Sequence, residues 1–140
     1  NQIFWLYETE PGTTIPLEPN RLRTLRDSIT SIFFSANPDS SYMIVDNSYL
    51  DEEYRNLNIN GYPVLECRGV YKMVNAFMAG PFLSYMIYDE PNDRTLMLDG
   101  FVFAPAGQNT QQKKRDATDY QKRPYIRHFE AIFSSFKTYE

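Results

Sequence analysis

The chain has 140 residues, 42% hydrophobic and 23% charged, which is the length and balance of one globular domain with one sizeable core. Eighteen acidic side chains against fourteen basic ones leave a formal net charge of −4, which disfavours a nucleic-acid binder held by phosphate contacts. A single cysteine and a single histidine exclude an intrachain disulfide and a Cys-based zinc site.

Eleven Tyr and ten Phe point to a β-rich core, because aromatic side chains favour strands and large packed surfaces. No apolar run reaches the ~20 residues of a membrane span, and no phosphate-cradling glycine-rich loop is present. The chain opens without an initiator Met, almost directly on a strand-like run, which reads as an excised domain of a longer protein.

Ile3 to Glu8 is the first predicted strand, with Trp5 in the core and Pro11-Gly12 as the turn that follows. Glu18-Pro19 starts a helix whose Leu22, Leu25, Ile29, Ile32 and Phe33 share one face, Pro19 suiting the first helical turn. Arg21, Arg23, Asp27 and Thr30 lie opposite, as a solvated surface or a basic docking site. Asn37-Pro38-Asp39 ends the helix, and Tyr42 to Val45 is a short strand. Asp46 to Asn60 reads as a polar loop with a helical turn at Tyr49 to Arg55, and Asn60-Gly61 as a tight turn.

The stretch from Pro63 to Pro105 organises the rest, with three long β-prone runs in succession. In the first, Leu65, Cys67, Tyr71 and Met73 alternate with Glu66, Arg68 and Lys72, so one face is buried and the other polar. Phe82 to Tyr88 and Leu96 to Ala104 are apolar on both faces and must be covered on both sides. Asp89 to Arg94 joins these two as a hairpin loop of more than two residues. The connection Asn75 to Pro81 carries Phe77 and Met78, either a plug under the sheet or an exposed contact patch. Residues 107–122 are polar and of low complexity, a mobile loop by composition. Pro124 opens the last helix, in which Tyr125, Phe129, Ile132, Phe133 and Phe136 form one stripe.

The pattern predicts a single α+β domain over residues 1–140, with an antiparallel sheet of about five or six strands sandwiched between an N-terminal and a C-terminal helix. Chemistry is thinly represented. His128 and Glu130 are two apart on a helix and do not face each other, and Cys67 falls on the buried face of its strand, where a thiol is inert packing. Asp46, Asp51, Glu52 and Glu53 lack the spacing and glycine of a calcium loop. Glu66 and Arg68, two apart on one strand face, either pair with cross-strand neighbours or leave Arg68 to take an anionic ligand. The basic tract Lys113-Lys114-Arg115, with Lys122-Arg123, is a solvated loop or a contact for anionic headgroups.

Several runs carry a resemblance: Glu66-Cys67-Arg68-Gly69-Val70-Tyr71, Asn75, Phe77-Met78-Ala79-Gly80-Pro81-Phe82, Asp99-Gly100-Phe101-Val102-Phe103-Ala104-Pro105 and Lys122-Arg123-Pro124-Tyr125-Ile126-Arg127, with Glu130-Ala131-Ile132. Together with Phe4-Trp5, Glu8-Thr9 and Arg26-Asp27-Ser28 they resemble domain-of-unknown-function family 4837, a group of predicted Bacteroidetes lipoproteins, over what looks like its C-terminal half. Ala76 and Ala79 stand where that family's pattern has an acid and a second glycine, and the link after Pro105 is longer than its norm. At fold level the order of elements is similar to PsbP-like proteins.

The resemblance implies an envelope lipoprotein of unassigned activity, reaching the membrane only through a lipid anchor upstream of this chain. The leading expectation is a non-catalytic binding or scaffold domain, with Glu66, Arg68, Phe77, Met78, Gly80 and Pro81 as candidate contact residues for a protein partner or small ligand in the envelope. No cofactor and no nucleic acid is expected. The alternatives are a small-ligand binder with an aromatic pocket around Arg68, and a hydrolase-type enzyme using His128.

Overall fold

The computed structural model describes residues 2–34, 42–46, 51–74, 79–102 and 124–136. Phe77, Met78 and the polar segment 107–122 lie outside them.

Six strands and two helices of more than one turn make up the described chain. In order they are β1 (Gln2–Glu8), α1 (Pro19–Phe33), β2 (Met43–Val45), β3 (Glu53–Ile59), β4 (Tyr62–Met73), β5 (Ala79–Asp89), β6 (Arg94–Val102) and α2 (Pro124–Ser134). All strand pairs are antiparallel, in the order β1-β6-β5-β4, and the far edge of β4 is shared by β2 and β3. The β4-β5-β6 meander is the one the hydrophobic runs predict, and β1 returns beside β6 through seven residue pairs from Gln2↔Val102 to Glu8↔Leu96.

Side-chain alternation sorts the sheet into two buried faces. Leu65, Cys67, Tyr71, Phe82, Met97 and Phe101 pack with Leu22 of α1, and Val64, Leu83, Tyr85, Ile87 and Leu96 pack with Ile126, Phe129 and Phe133 of α2. The two helices therefore cover opposite faces, as runs apolar on both sides require. Burying each large apolar side chain contributes about 1.5–3 kcal/mol before entropy is counted. Gly100 lets α2 sit close, because a Cβ there would stand 3.1 Å from the Phe129 ring.

Four expectations are corrected. Glu53 to Ile59, read as part of a polar loop, is a strand that pairs with β4 from Glu53↔Arg68 to Ile59↔Tyr62. Asn60 and Gly61 both have positive φ, 52° and 90°, as a two-residue turn matched to strand twist demands, and so fix that register. The Asn60 side-chain amide also donates to the backbone oxygens of Ser134 and Phe136 at the end of α2, at 3.4 and 2.8 Å.

On α1 the buried residues are Leu22, Arg26 and Thr30, spaced by four, whereas Ile32 and Phe33 are 69% and 72% exposed. Thr30 tolerates burial because its hydroxyl donates to the Arg26 carbonyl at 2.9 Å. The second face of β4 is buried too, Val64, Glu66 and Val70 having almost no exposed surface. Finally, β5 begins at Ala79, so Gly80 and Pro81 are buried strand residues and not part of the connection. Pro81 stands ahead of the first β5–β6 pair, Phe82↔Phe101, and pairs with β4 alone, so its missing N–H leaves no ladder bond to β6 unmade. Gly80 is required at its position, since a Cβ would lie 2.4 Å from the Val102 carbonyl that accepts from the Tyr71 hydroxyl.

Candidate functional site

Strand register assembles two polar rows, one on each face of the sheet. Under α1, Tyr54, Cys67, Ser84, Asp99 and Trp5 stand side by side on five neighbouring strands, as the pairs Tyr54↔Cys67, Cys67↔Ser84, Ser84↔Asp99 and Trp5↔Asp99 show. Arg26 descends from α1 onto this row. Its Nε donates to Asp99 Oδ2 at 2.7 Å and its Nη2 to Oδ1 at 3.4 Å, while its Cζ lies 3.9 Å from the centre of the Phe82 ring. The Ser84 hydroxyl donates to Asp99 as well, and none of these three side chains has exposed surface.

Burial pushes the Asp99 carboxyl above its ordinary value, and the Arg26 guanidinium and the Ser84 hydroxyl pull against that rise. The Trp5 indole lies beside Asp99 and helps hold its charge, although its N–H lacks the geometry of a full hydrogen bond. The remaining Arg26 nitrogen, Nη1, is buried and finds no acceptor among the described residues.

Next in the row, burial pushes the Cys67 thiol up to about 12, against the pull of Arg26 and a hydrogen bond from Tyr54. A thiol so held carries almost no thiolate near neutral pH and is a poor nucleophile. Ser84 gives its proton to a carboxylate that Arg26 already engages, so among the described residues no free base is placed to activate it. Chemically, the row is a sealed ionic pin that fastens α1 to the middle of the sheet. Arg23, Glu52 and Asp27 lie at its solvent end, with Arg23 Nη1 3.1 Å from Glu52 Oε1. Burial raises the Asp27 carboxyl there, while a bond from the Val45 N–H works in the other direction.

The second row faces α2 and contains the two charged residues singled out from the sequence. Glu66 stands between Arg55 on β3 and Tyr85 on β5. Arg55 Nε and Nη2 donate to its two oxygens at 2.9 and 3.3 Å, and Arg68 Nε donates at 3.1 Å from the same strand. Burial alone would raise the Glu66 carboxyl, but the Arg55 hydrogen bonds, the Arg68 charge and the Tyr85 hydroxyl outweigh it and hold it below the usual carboxylate range.

Glu66 itself has no exposed surface, whereas Arg55, Arg68 and Glu130 are 58%, 27% and 40% exposed. Arg68 Nη2 reaches on to Glu130 of α2 at 3.2 Å, so Arg68 is held between two carboxylates and ties the helix to the sheet. The cross-strand pairing expected for Glu66 is thus found, and Arg68 has its anionic partners inside the chain.

The other candidates fall elsewhere. His128 is exposed on α2, its Nδ1 3.0 Å from the Gln2 side-chain oxygen and its ring edge-on to Phe4 at 6.3 Å. Asp46 is buried with Lys72 4.0 Å away. Among the described residues no group of three metal-ligating side chains gathers, and no helix is long and apolar enough to cross a membrane.

Sequence reasoning missed Arg26, Ser84 and the ionic role of Asp99. The available signal was a charge and a hydroxyl inside runs otherwise apolar on both faces, FLSYMIY and LMLDGFVF, since buried polar groups need partners.

Fold and site together define an α+β domain of one antiparallel sheet between two helices, with an ionic row across each face. The chain belongs to the family described as Domain of unknown function (DUF4837), whose model matches residues 1–135. Comparison with curated proteins and with solved structures gives no match.

Proposed function

We propose that this is a non-catalytic binding or scaffold domain of a cell-envelope lipoprotein, PsbP-like in architecture, that contacts a protein partner and is held at the membrane by a lipid anchor upstream of Asn1. The observation that carries this reading is the end of α1, where Ile32 and Phe33 are 69% and 72% exposed while Phe34 turns inward against Phe101. Two adjacent large apolar side chains left in water support a contact surface there. The envelope setting rests on the resemblance in sequence. Arg68, held by Glu66 and Glu130, supports the partner reading over the small-ligand one.

The test is in-cell photocrosslinking from position 33 of the full-length protein. Expected is a discrete crosslinked species in the membrane fraction that Ile32→Ser abolishes, with stability changed by no more than about 0.5 kcal/mol. A probe at 33 that crosslinks to nothing, or only to soluble proteins of the cytosol, overturns the reading.

A further inference from the structure

We infer that β1 is a pairing edge for a second copy of this chain, in one particular register. Among the described residues β1 pairs with β6 on one side only. Past the Glu8↔Leu96 pair, the Thr9 N–H donates to the Thr95 carbonyl at 3.0 Å. Antiparallel ladders alternate, so Tyr7, Trp5 and Ile3 exchange hydrogen bonds with β6, and Glu8, Leu6, Phe4 and Gln2 turn their N–H and C=O groups to the edge away from β6, which no other described strand pairs.

A two-fold axis placed at Trp5 sets Gln2 against Glu8 of the other copy and Phe4 against Leu6. Each of those pairs joins two outward-facing residues, so all four outward donors of each strand find acceptors. Centring the axis on Phe4 or Leu6 leaves some of them outside the pairing.

The side chains agree with this register. Phe4 and Leu6 are 41% and 59% exposed and project to the α2 face, so each would cover the other across the junction. The only charge on β1, Glu8, falls opposite Gln2 with the His128 imidazole behind it, and not opposite its own copy. Glu8 now touches Arg94 at 2.9 Å, and Arg94 also keeps Asp89 at 2.8 Å. The two Trp5 residues meet as a non-hydrogen-bonded pair, where side chains approach most closely.

Edge strands that must stay single are blunted by Pro, charge or shortness. The opposite edge follows that rule, because β2 is three residues long and β3 exposes Glu53, Arg55, Asn56 and Asn58. By contrast, β1 runs seven residues with no Pro, Lys or Gly. A single-strand junction is small compared with the ~800 Å² per partner of a standard interface, so the pairing is weak and concentration-dependent.

Circular dichroism of the full chain tests it directly. The sequence has one Trp, so any exciton couplet from paired indoles is intermolecular. The couplet should grow with concentration in step with a dimer seen by sedimentation equilibrium, with Kd roughly between 1 μM and 1 mM. Leu6→Pro removes one outward N–H and spares the β6 ladder, and should weaken association at least ~10-fold. Leu6→Lys places a charge at the junction and should do the same, which covers the case that the proline variant fails to fold. A chain that stays monomeric to ~1 mM, a dimer without a couplet, or a dimer indifferent to Leu6→Lys overturns the inference.

Discussion

Each face of the sheet carries a carboxylate on a central strand, Asp99 under α1 and Glu66 toward α2, and each carboxylate is met by arginine. The surroundings differ. Arg26 and Asp99 both have no exposed surface, whereas Glu66 is buried but the guanidinium groups that reach it are 58% and 27% exposed. The same pair of groups is therefore held by different physics on the two sides. In the sealed pair the loss of water is offset only by fixed partners, so removing one strands the other. At the rim, water replaces whatever partner is lost and screens the attraction.

The sharpest way to break that contrast is Arg26→Met, which leaves Asp99 uncompensated in the core. It should cost about 3–5 kcal/mol in urea-induced unfolding, and adding Asp99→Leu should recover most of the loss. A loss under about 1 kcal/mol would mean that water reaches the pair.

Glu66→Gln should cost about 1–2 kcal/mol near neutral pH, less than Arg26→Met because the arginines it abandons can turn to solvent. Its pH dependence sharpens the point. The folded protein holds the Glu66 carboxyl below its ordinary value, so the unfolded chain binds the proton more readily. The stabilisation is present above the unfolded glutamate value and is lost as pH falls through the folded one. Denaturant titrations across that acidic window should show a flatter decline in Glu66→Gln than in the parent chain. The smallest effect belongs to Glu130→Gln. Its pair with Arg68 is partly exposed on both sides, and its loss should change stability by no more than about 0.5 kcal/mol by the same measurement.

The meander and its two coverings were legible because their signals are local. Leu65, Cys67, Tyr71 and Met73 fall on every second position with only Gly69 between, and Phe129 and Phe133 are four apart. Strand β3 was not legible, because its apolar residues change face along its length. Tyr54 packs toward α1, while Leu57 and Ile59 pack toward α2, and the intervening Arg55, Asn56 and Asn58 erase the alternation. On α1 the apolar count favoured Ile32 and Phe33, but burial went to Arg26, whose partner Asp99 lies 73 residues away. Both ionic rows are products of strand register, which no short window of sequence displays. The family resemblance was readable from dispersed short runs and covers nearly the whole chain.

Asn60 answers two unrelated demands at once. Its backbone must adopt a left-handed conformation for the hairpin to close, and its amide supplies hydrogen to the carbonyls of Ser134, the last residue of α2, and of Phe136 just beyond it. Glycine meets the first demand and has no donor. Aspartate tolerates the backbone but brings a negative charge to the negative end of a helix dipole. Lysine carries hydrogen to give and resists the left-handed backbone. The tip of one hairpin thereby tolerates few substitutions, and through it a local turn is tied to the end of a helix distant in sequence.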